Sequence, residues 1–369
     1  GDERRTEIVA AASDLDIEDL IADEEMVITI SHGGYIKRLP LDTYRAQRRG
    51  GRGLQGMETK EEDWVEHLFL AQTHDYLMFF TRPGHCYWLK VHEIPQAGRA
   101  ARGKPIINLL PALKPGDQIA SVVPVREFRD DQFLMFATRN GTVKKTALSA
   151  YGNVRVVGVN AINIEEGDEL IDVRITSGDD DVILATREGM AIRFHETDAR
   201  TMGRATTGVR GVSLSPGDRV IGMVVVRKDV AAEATLLVVT ENGYGKRSRI
   251  EDYRLQRRGG KGVINFRITE RTGKVVAIKE VLPEDELMLI TRNGVVNRQR
   301  INEIRVIGRA TQGVRLMALD EGDSVVDVAR LVVDEDGDEE VENAGTQTEA
   351  EDALAPAGGA PSLENEIGG

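Results

Sequence analysis

The chain has 369 residues, a formal net charge of -13 and one cysteine, Cys86. Such a length fits two average domains or one large repeat domain, and no apolar run approaches the roughly 18 residues that a membrane-spanning helix needs. A single thiol excludes an internal disulfide and a thiolate zinc cluster, so we expect a protein of the reducing cytoplasm.

The first 25 residues are acidic, with ten Asp or Glu against Arg4 and Arg5. The chain starts at Gly1 without an initiator Met or a cleavable leader, which suggests a piece of a longer polypeptide. The last segment, 331–369, has twelve acidic residues and no Lys or Arg. Without these two ends, 46 basic and 39 acidic residues remain between 26 and 330. The middle is therefore basic, and the net charge does not exclude a nucleic-acid partner.

A hairpin pattern recurs six times: an apolar run, then Thr or Ser, two residues and Gly. Its glycines are Gly34, Gly84, Gly141, Gly189, Gly243 and Gly294. The Asn-Gly pairs at Asn140, Asn242 and Asn293 are typical of two-residue hairpin turns. The spacing of about 50 residues fits one four-stranded blade per repeat, as in propellers, and excludes shorter helical solenoids.

A second glycine follows each hairpin glycine, in five repeats at an offset of 19 residues, and Gly-Asp pairs open a further apolar strand in four repeats. Each repeat thus shows several short strands separated by turns. We predict an all-β fold, a propeller-like ring of six four-stranded blades over 26–330. Residues 1–25 form a linker, and 331–369 form a disordered acidic tail because they cannot bury enough apolar surface.

The most informative motif is a seven-residue box, present twice at the same place in its repeat. The first copy is Gln47, Arg48, Arg49, Gly50, Gly51, Arg52 and Gly53; the second runs from Gln256 through Arg257, Arg258, Gly259, Gly260 and Lys261 to Gly262. Glycines let the backbone approach a phosphate while the flanking cations neutralise charge. A solvated glycine turn is the alternative, but two register-matched copies favour phosphate binding.

Further cations fall at fixed places in the repeat. Pairs follow three hairpin glycines, at Lys37 and Arg38, Lys144 and Lys145, and Lys246 and Arg247. Single arginines stand beside the first box (Arg45) or four residues before the second glycine (Arg99, Arg204, Arg309). One pair alone would be ordinary surface, but pairs on successive blades predict a basic track that holds bent duplex DNA through its phosphates.

The box closely resembles the signature motif of the C-terminal domain of bacterial DNA gyrase A. Arg4 to Ile8 resembles the linker that leaves the family's breakage-reunion core, and Ser31 to Arg38 resembles its first hairpin. The resemblance implies a β-pinwheel whose blades exchange strands. It also implies that Gln47 to Gly53 wrap DNA to support negative supercoiling. The intact second box departs from the family's pattern, so it is open which box dominates.

By this resemblance the chain carries no catalysis, although the longer protein is an ATP-dependent type II topoisomerase. The implied partners are duplex DNA, the breakage-reunion core and gyrase B; the isolated domain is expected to be monomeric, cytoplasmic and at the bacterial nucleoid. The six His residues show no metal-ligand spacing, and phosphate-binding and nucleophile motifs are missing. We therefore expect no metal and no cofactor. The alternatives are a topoisomerase IV C-terminal domain and a propeller scaffold that binds proteins.

Overall fold

The computed structural model describes residues 17–31, 33–41, 65–98, 101–114, 116–228, 233–293 and 295–331. Within these ranges the chain forms β-strands and short 3-10 helices, without an α-helix. The 3-10 helices are Ile17–Leu20, Val91–Glu93, Ile106–Asn108, Leu148–Tyr151, Glu196–Asp198, Ile250–Asp252 and Ile301–Glu303.

Each repeat contributes an antiparallel hairpin. Its first strands are β1 (Glu25–Ser31), β4 (Tyr76–Thr81), β8 (Phe133–Thr138), β12 (Asp181–Thr186), β16 (Thr235–Thr240) and β20 (Glu286–Thr291). Its second strands are β2 (Tyr35–Pro40), β5 (His85–Lys90), β9 (Thr142–Ala147), β13 (Met190–His195), β17 (Tyr244–Arg249) and β21 (Val296–Arg300).

Two further kinds of strand complete the sheets. Long third strands pair with the first hairpin strand: β3 (Val65–Gln72), β7 (Ile119–Val125), β11 (Leu170–Thr176), β15 (Val220–Val226), β19 (Val275–Val281) and β23 (Val325–Leu331). Two-residue strands pair with a second hairpin strand: β6 (Lys104–Pro105), β10 (Val159–Asn160), β14 (Val209–Arg210), β18 (Val263–Ile264) and β22 (Val314–Arg315).

The two-residue strands are exchanged between blades. Strand β6 follows the second hairpin in the chain but pairs with β2 of the first blade, and the same shift by one repeat recurs around the ring. Five sheets are therefore four-stranded, and the sixth has three strands among the described residues. The predicted six-bladed all-β architecture with strand exchange is confirmed.

The hairpin turns differ from the predicted two-residue form. The Gly amide donates to the carbonyl of the Ser or Thr three residues earlier, as in Gly141 to Thr138 at 3.0 Å. The Thr138 hydroxyl also accepts from the Thr142 amide at 3.1 Å. Gly141 has φ +88°. A four-residue turn whose last residue is a left-handed Gly is typical of hairpins with a three-residue loop. The glycine therefore lies at the end of the turn rather than at its centre.

The hydrophobic core is divided among the spaces between blades. Alternate residues of a strand point to opposite faces, so Leu134 and Phe136 of β8 pack toward the second blade while Met135 and Ala137 pack toward the fourth. The first hairpin strand is consequently buried on both faces, which explains its continuous apolar run. The third strands adjoin one another around the axis, and β23 lies beside β3, closing the ring. The exchanged strands thus form the outer rim.

Candidate nucleic-acid interface

The first box, Gln47 to Gly53, lies outside the described residues, as do Arg45 and Arg99 and most of the segments 1–25 and 331–369. The second box is described in full. It connects the 3-10 helix Ile250–Asp252 to β18 on the rim of the fourth blade.

Glycines hold the second box against that blade. Gly259 and Gly262 have φ +83° and +79°, a region that other residues adopt only with strain. A Cβ on Gly262 would lie 2.2 Å from the Ala191 carbonyl oxygen of β13. The backbone therefore approaches its neighbour more closely than a side chain permits.

The cations of the second box have two different environments. Arg257 and Lys261 are exposed on the rim. Arg258 is half-buried, and its guanidinium donates to two backbone carbonyls of the preceding repeat, Asp198 O at 2.8 Å and Arg210 O at 2.9 Å. Arg257 and Lys261 are free to meet a phosphate, whereas Arg258 braces the loop.

Arg309 occupies the same place in the sixth repeat and makes the same kind of contacts. Its Nε donates to Asp252 O at 3.1 Å and its Nη1 to Ile264 O at 2.7 Å. Arg204, the equivalent residue of the fourth repeat, is also half-buried. The arginine four residues before the second glycine thus fixes one rim loop to the next in two of the described repeats.

The hairpin pairs occupy positions that correct the expectation of an exposed basic track. Lys37, Lys144 and Lys246 are fully buried, and Lys145 and Arg247 are nearly so. Lys145 is paired with the buried carboxylate of Glu196 at 2.6 Å. Arg38, which is half-buried, and Arg247 each donate from Nε to a carbonyl of the next repeat, Ile94 O at 2.6 Å and Ile304 O at 2.8 Å. These side chains join blades instead of facing solvent.

Each of the three buried lysines donates hydrogen bonds to carbonyls of a rim loop. Lys37 Nζ donates to Ala101 O at 2.9 Å, Lys144 Nζ to the carbonyls of Ala161 and Arg204, and Lys246 Nζ to Gly308 O at 2.9 Å and to Arg309 O. Each lysine therefore fixes a rim loop with the sequence Gly-Arg-Ala, which begins at Gly98, Gly203 or Gly308.

Lysine-fixed loops alternate with loops of other kinds. The position three residues after the hairpin glycine is Lys in the first, third and fifth hairpins, but Tyr87, Ile192 and Asn297 in the others. The described loop that pairs with the Ile192 blade is the second box, which is braced by Arg258. The rim thus holds its loops with buried lysines, with bracing arginines or, at the Gly308 loop, with both.

Burial has an electrostatic cost for these lysines. Burial, together with the nearby guanidinium of Arg204, lowers the pKa of Lys144 to about 7. Burial and the guanidinium of Arg309 likewise lower the pKa of Lys246 to about 7. Desolvation disfavours the charged ammonium, so carbonyl partners are needed to keep these side chains inside.

The structure adds rim cations that the sequence analysis missed. One lies at or beside each of the other four exchanged strands, and each is exposed: Lys104, Arg155, Arg210 and Arg315. Three of them follow the second glycine of their repeat by one or two residues. That fixed offset was a usable signal. It was overlooked because a single cation at each position looks like ordinary surface.

The described residues contain neither a membrane-spanning helix nor a metal-ligand cluster. No helix among them has the length and apolar character needed to cross a membrane. Within the same ranges, no three His, Cys, Asp or Glu side chains are placed to hold a metal ion.

Comparison with known proteins gives a consistent result. A family model described as DNA gyrase C-terminal domain, beta-propeller, matches six times, at 25–72, 75–126, 132–177, 180–227, 234–281 and 285–331. DNA gyrase A of Escherichia coli (strain K12) is 45% identical over 358 residues, which cover 96% of this chain and 40% of that protein. The corresponding protein of Staphylococcus aureus (strain NCTC 8325) is 46% identical over 354 residues, covering 95% and 40%. The chain spans about 40% of the length of these relatives.

Two solved structures have the same fold. A structure of a DNA gyrase A C-terminal domain aligns with TM-score 0.73 and 26% identity, over 84% of this chain and 100% of the other. The C-terminal domain of DNA topoisomerase IV aligns with TM-score 0.67 and 26% identity, over 84% and 94%.

Proposed function

This chain belongs to the family of DNA gyrase C-terminal domains, and from that membership we propose that its ring bends and wraps duplex DNA around the rim without catalysis of its own. In the longer protein the wrapped duplex supports negative supercoiling. The working partners are duplex DNA, the breakage-reunion core and gyrase B. The domain acts in the bacterial cytoplasm, at the nucleoid, and needs no cofactor.

One observation carries the proposal: every described exchange segment presents an exposed cation on the rim. From the first to the fifth blade these are Lys104, Arg155, Arg210, Lys261 and Arg315, with Arg257 beside Lys261. Regularly repeated cations along a curved edge match a polyanion that follows that edge. The exposed side chains face phosphates, so binding tolerates different sequences and depends on how easily the duplex bends.

The braced loops supply the rigidity that bending requires. A bent duplex stores elastic energy of a few kcal/mol over a short site, and mobile loops would yield to that force. Arg258 and Arg309 tie their loops to the preceding repeat, and the buried Lys246 of β17 holds the loop at Gly308 of the next repeat. The rim therefore holds its cations at fixed spacing while the duplex deforms.

Topology analysis of relaxed circular DNA, closed by ligase in the presence of the domain, tests wrapping directly. We expect a shift in linking number that becomes steeply smaller as salt rises. Each neutralised phosphate contributes a slope of roughly −0.9 to the logarithm of the DNA-binding constant plotted against the logarithm of the salt concentration. Replacing Arg48, Arg49 and Arg52 with Gln, in the first box, should reduce the shift more than it reduces affinity. The double variant Arg210→Gln/Arg315→Gln should reduce both.

A matched control is Arg129→Gln/Lys228→Gln. Both residues are exposed and paired with carboxylates, Arg129 with Asp131 and Lys228 with Asp179, and neither lies on an exchanged segment. The same charge change there should leave the topology as in the parent chain. Equal losses in the control and rim variants, or a linking number that does not respond to the domain, would refute the proposal.

A further inference from the structure

A cavity of about 480 Å3 lies at one end of the ring axis, against the inner strands of five sheets and opposite to their rim edges. Its wall is formed where the inner strands β7, β11, β15, β19 and β23 begin, and by the hairpin turns beside them. Five guanidinium groups and three carboxylates line it: Arg82, Arg139, Arg187, Arg219 and Arg292, with Glu169, Glu241 and Asp327. The lining therefore has an excess of two positive charges.

Four of the five arginines come from one position in the repeat. Arg82, Arg139, Arg187 and Arg292 each follow the Thr that opens a hairpin turn, and the fifth repeat has Glu241 there. In a ring of similar blades, equivalent turn residues converge on the axis. Convergence of the same residue type from four blades builds a cationic site that a single blade could not form.

The carboxylates do not satisfy all of the guanidinium groups. Glu169 is shared between Arg82 Nη1 at 3.4 Å and Arg139 Nη1 at 3.5 Å, and Glu241 pairs with Arg187 at 2.9 Å. Among the described residues, the side chains of Arg219 and Arg292 have no such acceptor. Burial, then the nearby Arg187 and Arg139 guanidiniums, lower the pKa of Arg219, and the Glu169 carboxylate offsets only part of this effect.

Blade-to-blade bracing explains only part of this arrangement. Glu169 and Glu241 each bridge neighbouring blades, which accounts for Arg82, Arg139 and Arg187. Bracing does not account for Arg219. Folding brings its guanidinium close to like charges, which lowers the stability of the folded chain. An anion from solution removes that cost.

We propose that this axial cavity binds a compact multivalent phosphate anion of the inorganic triphosphate class, with Arg219 and Arg292 as the free guanidinium groups. Arginine forks match phosphate oxygens with two parallel hydrogen bonds. The guanidiniums approach from several blades, and a polyphosphate presents oxygens in all of those directions, whereas a carboxylate presents two in one plane. The volume lies within the range of small-ligand pockets, roughly 300–1,000 Å3.

Isothermal titration calorimetry of the full chain with inorganic triphosphate tests the site at near-physiological salt. We expect saturable binding of one anion per chain. Arg219→Gln/Arg292→Gln should weaken it at least tenfold, while the rim variant Arg210→Gln/Arg315→Gln, with the same charge change, should bind as the parent does. Equal affinity of the cavity variant and the parent, or loss in the rim variant alone, would overturn the proposal.

Thermal unfolding separates an anion site from a bracing cluster. Triphosphate should raise the melting temperature of the parent by linkage and leave that of the cavity variant unchanged. Without anion, the cavity variant should melt at the same or a higher temperature, because two crowded charges are gone. A lower melting temperature of the variant, together with no response of the parent to triphosphate, would assign the arginines to bracing and refute the site.

The phosphate could also come from the DNA backbone, and competition distinguishes the two sources. A short duplex that saturates the rim should leave triphosphate affinity within about twofold of its value without DNA. Stoichiometric displacement of triphosphate by the duplex, in the parent and in the rim variant alike, would assign the cavity to DNA and overturn the proposal of a free anion.

Discussion

Burial of Lys246 and Lys144 makes the free energy of unfolding depend on pH. Their pKa falls from 10.5 to about 7 on folding, so between these values the unfolded chain binds more protons than the folded chain. The free energy of unfolding therefore rises with pH across this window, by up to about 1.4 kcal/mol per pH unit for each lysine. Below pH 7 the two lysines are protonated in both the folded and the unfolded chain. The free energy of unfolding then no longer changes with pH through these groups, and the stability that they contribute at higher pH is lost.

The measurement is urea unfolding of the parent chain and Lys246→Met at pH 7, 8 and 9. The difference in unfolding free energy between them should change with pH, because the variant lacks one titrating group. Hydrogen exchange at the amides of 308–313 should also be faster in the variant, since Lys246 no longer holds that loop. A difference that is constant with pH would show that Lys246 keeps an ordinary pKa.

Gly262 and Gly308 offer a matched pair of glycines. Gly262 has φ +79°, and an added Cβ would meet the Ala191 carbonyl at 2.2 Å, whereas a Cβ on Gly308 would meet nothing within 4 Å. Gly262→Ala should lower the unfolding free energy by at least about 2 kcal/mol. Gly308→Ala should change it by less than about 0.5 kcal/mol. Denaturant midpoints at constant m-value give both numbers, and equal effects would contradict the close approach.

Residue-scale prediction from sequence was uneven for a physical reason. The spacing of the second glycines located positions such as Gly103, Gly208 and Gly262, because a positive φ and a close approach to a neighbouring carbonyl admit only Gly there. The hairpin cations could not be placed in the same way. Charge normally indicates a surface residue, and Lys144 and Lys246 are buried because carbonyls from the next repeat reach them. The sequence does not show these long-range partners.

Within the second box, Arg257 and Arg258 separate phosphate contact from bracing. Arg257→Gln should leave stability unchanged and reduce the salt dependence of DNA affinity by one phosphate contact. Arg258→Gln removes the same charge but also the hydrogen bonds to Asp198 O and Arg210 O, and should cost about 1 kcal/mol of stability. Denaturation and salt titration of DNA binding measure the two effects. Identical behaviour of the two variants would refute this division of roles.

At the scale of elements, strands were easier to predict than turns. The apolar runs and their spacing predicted the hairpins, since a first strand buried on both faces, such as β8, has a continuous apolar run. The turns proved one residue longer than predicted because Thr138 and its equivalents use their hydroxyl to accept the amide beyond the glycine. Exchange of β6 and its counterparts came from the family resemblance, because a two-residue strand leaves no pattern in the sequence.

At the scale of the molecule, the acidic end should compete with DNA for the basic rim. Residues 332–369 carry twelve acidic residues and no Lys or Arg, and a tethered polyanion acts at an effective concentration that is millimolar for a short linker. Truncation after Leu331 should tighten DNA binding and increase wrapping at low salt, with the gain shrinking as salt rises.

Mobility shifts of a linear duplex at several salt concentrations measure this effect. A full-length variant with Asn and Gln in place of the twelve carboxylates keeps the length of the segment and should behave like the truncation. If neither change alters affinity at low salt, this segment has no regulatory role in the domain.

The strand exchange also has a consequence for folding during synthesis. The outer partner of Tyr35 in β2 is Pro105, and that of Tyr244 in β17 is Arg315, so about 70 residues must be translated before either sheet is complete. At roughly 5–20 residues per second, each hairpin on the ribosome waits several seconds with an open edge. Such edges are sites of mispairing with other chains. The interval between adjacent repeats, more than the stability of the finished ring, therefore sets the period in which the nascent protein is most exposed to aggregation.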